Sequence, residues 1–265
     1  MGEISEITKG DSLIWRVDVR EQSLKLEPVP ESWLRLGGRA LVARILVDEV
    51  PGPCEPLGEN NKLLFTPGLL VGHMLSSCDR ISVGGKSPLT GGVKEANAGG
   101  TTGLQMVYLG IKALIIENQP AKQGWWVLRL STQGISFDPA DDLIGNGVFE
   151  AAPQLLSRYG DKIAIALIGP GGEMRLSTAG IQNLDKERLP SRIAARGGLG
   201  AVLASKGIKA IVIDAQGGRK PDLVNPDDFK QAQKAFTKAL LEHPQTAVYR
   251  DYGTAAVGRM ALGFG

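Results

Sequence analysis

Cysteine is nearly missing from this chain: there are two in 265 residues, Cys54 and Cys78, in unlike contexts and outside any C-x-x-C pair. That excludes a disulfide framework and an autonomous thiolate metal site, and leaves reduced thiols as the simpler reading. Histidine is as scarce, and neither His73 nor His243 has a partner at metal-ligand spacing. Aromatic residues make up only 5%, and 30 Lys and Arg face 28 Asp and Glu for a net charge of +2. The interleaved bases and aromatics of a nucleic-acid surface are absent. No apolar run approaches the roughly 18–20 residues of a membrane span. The polar opening MGEISEITKGDS does not read as a secretory signal. The expected compartment is the cytoplasm, with neither a membrane nor a nucleic acid as partner.

What the chain has in excess is glycine, 35 residues, and it spends them in a repeat. The stretch NAGGTTGLQMVYLGIKALIIE, Asn97 to Glu117, matches AARGGLGAVLASKGIKAIVID, Ala194 to Asp214, without a gap. Gly100, Gly103 and Gly110 align with Gly197, Gly200 and Gly207. Each copy reads as a Gly loop, a short helix, a glycine stop and an all-apolar strand. Glycines before a helix bring backbone N–H groups close to a ligand, and a phosphate is the natural guest. The alternative is that they only permit tight turns and close packing.

The repeat reaches further. Trp15, Val17 and Val19 alternate with polar residues, turn near Arg20–Ser23 and return through Leu24 and Leu26 to Pro28, a hairpin pattern. WWVLRLSTQGISFDP repeats the layout, aligning Trp126 with Trp15, Gln133 with Gln22 and Pro139 with Pro28. Helical spacing follows over 31–50 and 141–159, then strands at 62–65 and 162–165, with Arg80–Val83 answering Arg175–Thr178. The expected fold is α+β: a sheet-rich, two-lobed domain over 1–215, internally duplicated (12–117 and 124–214) with pseudo-twofold symmetry. Residues 216–224 read as a linker. Residues 225–265 read as a short helical tail, with one helix from Asn225 to about Glu242 and a second from near Gly253, whose uncovered apolar face suits the start of a truncated second domain.

Arg80, Lys86-Ser87-Pro88-Leu89-Thr90-Gly91, Ala96-Asn97-Ala98-Gly99-Gly100 and Arg192 through Arg196-Gly197-Gly198-Leu199-Gly200-Ala201-Val202 to Lys206 carry a resemblance. So do Gly37-Gly38-Arg39 and Tyr252-Gly253-Thr254-Ala255. On these residues the chain resembles the N-terminal domain of the tungsten-containing aldehyde ferredoxin oxidoreductase family. The resemblance implies a base for a tungsten ion held by two pterin dithiolenes (bis-molybdopterin, tungstopterin), with a magnesium ion bridging the two pterin phosphates through the backbone carbonyls of Asn97 and Ile193. It places Arg80 between a pterin and a four-iron, four-sulfur cluster. Ala98, Gly99, Gly100, Arg192, Ala194, Ala195, Arg196 and Gly197 fall at cofactor-contacting positions. Ile193 and Ala195 stand where smaller residues or glycine are familiar. The cluster ligands and the substrate-facing acid and base have no counterpart here, so the chain by itself is expected to be inactive.

The implied reaction of the intact enzyme is oxidation of an aldehyde to a carboxylic acid, with electrons passed to ferredoxin. Its implied partners are the C-terminal domains or a separate subunit; an uncovered tail also favours pairing with a second copy. A non-catalytic pterin-binding or assembly module that pairs with a catalytic subunit is the alternative. A nucleotide-binding α/β enzyme fits less well, because Gly197-Gly198-Leu199-Gly200 meets neither Rossmann nor P-loop spacing.

Overall fold

The computed structural model describes residues 12–263; the polar opening segment and the last two positions, 264 and 265, lie outside them. The chain divides into two compact units, Met1–Pro221 and Asp222–Gly265. Among the described residues no helix is long and apolar enough to cross a membrane.

The first half of the large unit runs β1 (Leu13–Asp18), β2 (Ser23–Pro28), a 3-10 turn (Glu31–Trp33), α1 (Gly38–Glu49), β3 (Leu63–Pro67), β4 (Ile81–Lys86), β5 (Val93–Ala98), α2 (Thr102–Tyr108) and β6 (Ile111–Glu117). The second runs β7 (Trp126–Ser131), β8 (Gly134–Pro139), a 3-10 turn (Asp141–Leu143), α3 (Val148–Tyr159), β9 (Ala164–Leu167), α4 (Pro170–Glu173), β10 (Ile181–Asn183), β11 (Arg192–Ala194), α5 (Leu199–Ser205) and β12 (Ile208–Asp214). Each half closes its own six-stranded sheet, in the orders β2-β1-β6-β3-β4-β5 and β8-β7-β12-β9-β10-β11. The two orders are one topology. Each GIKA strand pairs parallel to the first hairpin strand and antiparallel to the strand after the long helix. Each ladder slips by one residue at its lysine, Lys112 or Lys209.

Strand register corrects the alignment read from sequence. Leu13 pairs with Ile111 as Trp126 pairs with Ile208, so Trp126 answers Leu13, and Trp15 is answered by Leu128. Pro28 and Pro139 do correspond. The hairpin turn spans residues 19–22 in the first copy and only 132–133 in the second, which absorbs the difference. The helical stretches are broken: Gly37 before α1, and Gly145 and Gly147 before α3, separate each 3-10 turn from its helix. Residues 175–178 form a turn, not a strand, and β10 begins at Ile181. The edge strands β5 and β11 replace what read as plain loop. VKEANA and RIA lack an apolar alternation because an edge strand has little to bury.

Leu114 and Ile116 of β6 face a core shared by both sheets, while Ala113 and Ile115 face α1. With both faces covered, the strand is apolar throughout rather than alternating. β12 does the same, with Ile211 and Ile213 toward the shared core and Ala210 and Val212 toward α3. The short helices α2 and α5 fill the space between the sheets, each packing on strands of both. All of α5 is buried, and Leu199, Val202 and Leu203 lie in the shared core; burial of each contributes roughly 1.5–3 kcal/mol. Gly84 allows the close approach of α1, since a Cβ there would lie 2.1 Å from Val42.

In the small unit, α6 (Pro226–Glu242) starts on Asn225, whose side chain accepts the Asp228 N–H at 3.2 Å. The next helix begins earlier than its sequence suggests: α7 (Pro244–Tyr252) follows at once, with a 3-10 turn (Gly253–Val257) and α8 (Gly258–Leu262) after it. No residue of α6 or α7 is buried.

One side chain ties the halves together. Lys206, at the end of α5, is fully buried, and its Nζ donates to the carbonyls of Asn61 (2.6 Å), Asn118 (2.6 Å) and Gly58 (3.3 Å). Burial, with repulsion from Lys62, lowers its pKa to about 8 from the ordinary 10.5. Lys206→Met keeps the apolar stem but removes three donors, and denaturant unfolding should show a loss of roughly 2–4 kcal/mol at pH 7. Between pH 8 and 10.5 the unfolded chain holds a proton that the folded one has released, so rising pH favours the fold. The stability gap between parent and variant should therefore widen over that window; a narrowing gap would show that the fold prefers the ammonium.

Candidate functional site

At one seam of the large unit β5 and β11, the edge strands of the two sheets, lie beside each other. No ladder joins them, so each keeps a row of backbone N–H and C=O groups facing away from its own sheet. A cleft of about 590 Å³ opens there, lined from residues 75–77, 79–80, 97–100, 185–187 and 191–193.

Register gives the cleft its symmetry. Thr66 pairs with Ser82, which pairs with Asn97; Leu167 pairs with Gln182, which pairs with Ile193. Asn97 and Ile193 thus hold equivalent places on the two edge strands, one position away from the gapless alignment. The second loop carries one more residue before its helix.

Charge does not follow this symmetry. Arg80 immediately precedes β4 and Arg192 opens β11, and the equivalent positions are Gly180 and Ala96. Both arginines converge on Gly99: a Cβ built there would lie 3.7 Å from Arg80 Nη1 and 4.0 Å from Arg192 Cδ. Arg80 is exposed, and its Nε donates to Asn97 Oδ1. On the opposite wall Asp185 is buried; its carboxylate accepts Ser191 Oγ at 2.5 Å and the Leu189 N–H at 2.9 Å. The Ser191 hydroxyl, helped by backbone N–H groups and Arg192, holds its pKa below the usual carboxylate value. Asp185 so folds back the 185–191 turn that presents Lys186, Glu187 and Arg192. Sequence reading passed over Asp185 and Ser191; a D-x₅-S spacing is too ordinary to signal.

Seven of the expected residues meet in the cleft: Arg80, Asn97, Ala98, Gly99, Gly100, Arg192 and Ile193. The other four do not line it. Ala194 is buried in the shared core, Ala195 and Arg196 are exposed beyond the lining, and Gly197 is buried. Ala195 is spared positive φ, unlike Gly197 (+74°) and Gly198 (+70°). The two Gly loops are therefore not two open seats at helix starts. A Cβ on Gly197 would lie 2.4 Å from Lys94, and one on Gly198 2.1 Å from the Ser177 carbonyl. Gly200 donates its N–H to Ala179 at 2.9 Å. These glycines serve close packing. In the Lys86–Gly91 run, Ser87 Oγ donates across the halves to the Gly197 carbonyl at 2.7 Å, while Lys86 Nζ donates within the first half to that of Gly52.

Residues 14–215 match the family described as aldehyde ferredoxin oxidoreductase, N-terminal domain. The chain belongs to that family. It is 33% identical over 246 residues to the tungsten-containing aldehyde ferredoxin oxidoreductase of Pyrococcus furiosus and 31% identical to that of Thermococcus kodakarensis, covering 91% of this chain in each case. A 28% identity links it to the aliphatic sulfonate oxidoreductase, WOR-like subunit, of Pyrococcus furiosus. Among solved structures it is similar to the BamBC active site complex of benzoyl coenzyme A reductase, with a TM-score of 0.80 and 26% identity over 89% of this chain. The chain spans about two-fifths of the length of these curated relatives, 39–40%. Among the described residues no group of three or more His, Cys, Asp or Glu could hold a metal ion.

Gly100, at φ +107°, lies against the second half, where a Cβ would meet the Leu184 carbonyl at 2.4 Å. That carbonyl accepts the Thr101 N–H at 2.9 Å. Gly91 has φ +71° but open space around it. Gly100→Ala should cost roughly 2–5 kcal/mol in denaturant unfolding, against about 1–2 for Gly91→Ala, which carries the backbone strain alone. Equal losses would show that Gly100 matters only for its φ.

Proposed function

We propose that this chain is the cofactor-binding N-terminal domain of a tungsten bis-pterin oxidoreductase, and that the cleft between β5 and β11 is the cofactor seat. The observation that carries the proposal is the register equivalence of Asn97 and Ile193 beside two arginines and the bare backbone of Gly99. A cofactor with two like halves suits a strand edge presented twice. The donor set fits such a group: Arg80 Nη1 and Nη2 have no acceptor among the described residues, and permanently charged, planar guanidinium forks suit phosphates and heterocycle edges.

In this reading the backbone carbonyls of Asn97 and Ile193 hold a magnesium ion, a hard cation that oxygen ligands satisfy. Arg80 donates to a pterin from one side, and Arg192 neutralises phosphate charge. Ala98, Gly99 and Gly100 keep the wall low enough for close approach, while Ala194, Ala195, Arg196 and Gly197 act by placing β11 and its loop. The bound tungstopterin supplies the redox chemistry. The complete enzyme oxidises aldehydes to carboxylic acids in the cytoplasm and passes electrons through a four-iron, four-sulfur cluster to ferredoxin. Cys54 and Cys78 cannot supply the four thiolates such a cluster uses, so its ligands come from the C-terminal domains or subunit.

The test is metal and pterin analysis of the complete enzyme. Tungsten, magnesium and pterin should co-purify in fixed proportion, and Arg80→Ala should lower tungsten and pterin several-fold with the melting temperature unchanged, because an exposed arginine contributes little to the core. Equal tungsten content in parent and variant would overturn the role given to Arg80. This chain purified alone should carry no iron–sulfur absorption and turn over no aldehyde; stoichiometric iron in it would place the chemistry elsewhere.

A further inference from the structure

Arg80 does not hold its direction alone. Its Nε donates to Asn97 Oδ1; Asn97 Nδ2 donates to Ser82 Oγ at 3.4 Å; Ser82 Oγ donates to Glu95 Oε1 at 2.6 Å. Ser82 is 2% exposed and the Glu95 side chain 11%, so water does not compete freely for the inner Ser82–Glu95 link, while Asn97 and Arg80 at the outer end are exposed. We propose that Glu95 is a positioning residue, which sets the direction in which Arg80 presents its guanidinium to the cleft. The functional part rests on the reading of that cleft as a cofactor seat.

The argument is one of hydrogen-bond polarity. An ionised carboxylate only accepts, and a serine hydroxyl has one proton to give. Glu95 takes that proton, so Ser82 can only accept from Asn97. The amide must then turn Nδ2 toward Ser82 and Oδ1 toward Arg80. Without Glu95, the Ser82 proton is free to go to Asn97 Oδ1, the amide turns over, and Nδ2 meets Arg80 Nε, donor against donor. Arg39 Nε reaches Glu95 Oε2 at 3.3 Å, but with its side chain 76% exposed it adds little.

The second half supplies the contrast. The positions equivalent to Ser82 and Asn97 are Gln182 and Ile193, and Gln182 Oε1 is buried with no hydrogen-bond partner. That half has glycine where the first has Arg80, and it has no relay. The polar chain accompanies the arginine and not the fold.

Hydrogen exchange at Arg80 Nε–H, read by NMR on this chain without cofactor, tests the relay directly, with the signal assigned by its loss in Arg80→Ala. Exchange should be several-fold faster in Glu95→Ala and in Ser82→Ala. It should stay near the parent value in Glu95→Gln, whose side-chain carbonyl can still accept the serine proton. Unchanged exchange in a folded Glu95→Ala, or in Ser82→Ala should the former not fold, would overturn the proposal. In the complete enzyme, tungsten and pterin retention should fall as far in Glu95→Ala as in Arg80→Ala, and no further in the double variant. If exchange accelerates while neither variant changes retention, the relay stands and the cofactor reading fails.

Discussion

The large unit depends on one buried lysine. Lys206 leaves the second half's inner helix and ends among three backbone carbonyls of the first half, two of them at 2.6 Å. The carbonyls of 61 and 118 lie just past the end of the β3–β6 ladder and that of 58 in the loop before β3, and each would be costly to bury unpaired. A single donor head with three hydrogens resolves all of them at once. This fixes α5 between the sheets, and with it the Gly197–Gly198 turn, the Ser87 bond across the seam and the spacing of β5 from β11. The seven small and apolar residues of α5 fill the space; Lys206 decides its register.

That arrangement explains why glycine is so frequent and why so little of it faces a ligand. Glycine lets backbone approach backbone, across the halves at Gly100, whose would-be Cβ falls 2.4 Å from the Leu184 carbonyl, and within the second half at Gly198 and Gly200, 2.1 and 2.5 Å from those of Ser177 and Gly180. Only Gly99 and Gly100 also reach the cleft. The family domain thus uses one loop composition for two ends: packing throughout, and access at one point.

Much of this was visible in the sequence, for physical reasons. The GIKA strands are covered on both faces and therefore apolar without interruption. The hairpins alternate because their second strands are half exposed. The duplication survives because both copies solve the same packing problem. What stayed hidden was the structure that apolar pattern does not encode. The edge strands β5 and β11 bury only alanines and read as loop, although Asn97 and Ile193 sit on them. Two unequal hairpin turns shifted the apparent match of Trp126 from Leu13 to Trp15. The 3-10 turns before α1 and α3 merged with their helices, because apolar spacing continues across the glycines that break them. Arg80 and Arg192 stood out through resemblance, while Asp185 and Ser191 act through a bond inside one short turn and Glu95 through a bond between neighbouring strands, and neither spacing is a sequence signal.

The seam repeats its backbone twice and its charge once. Asn97 and Ile193 are interchangeable as strand positions, yet Arg80 and Arg192 both crowd toward Gly99. Two identical anionic groups laid on the two strands would rest at different depths of electrostatic potential, with the one over Gly99 the better stabilised as negative charge accumulates. A symmetric scaffold with a one-sided field makes equal halves unequal, and so gives a direction to any charge moving through them.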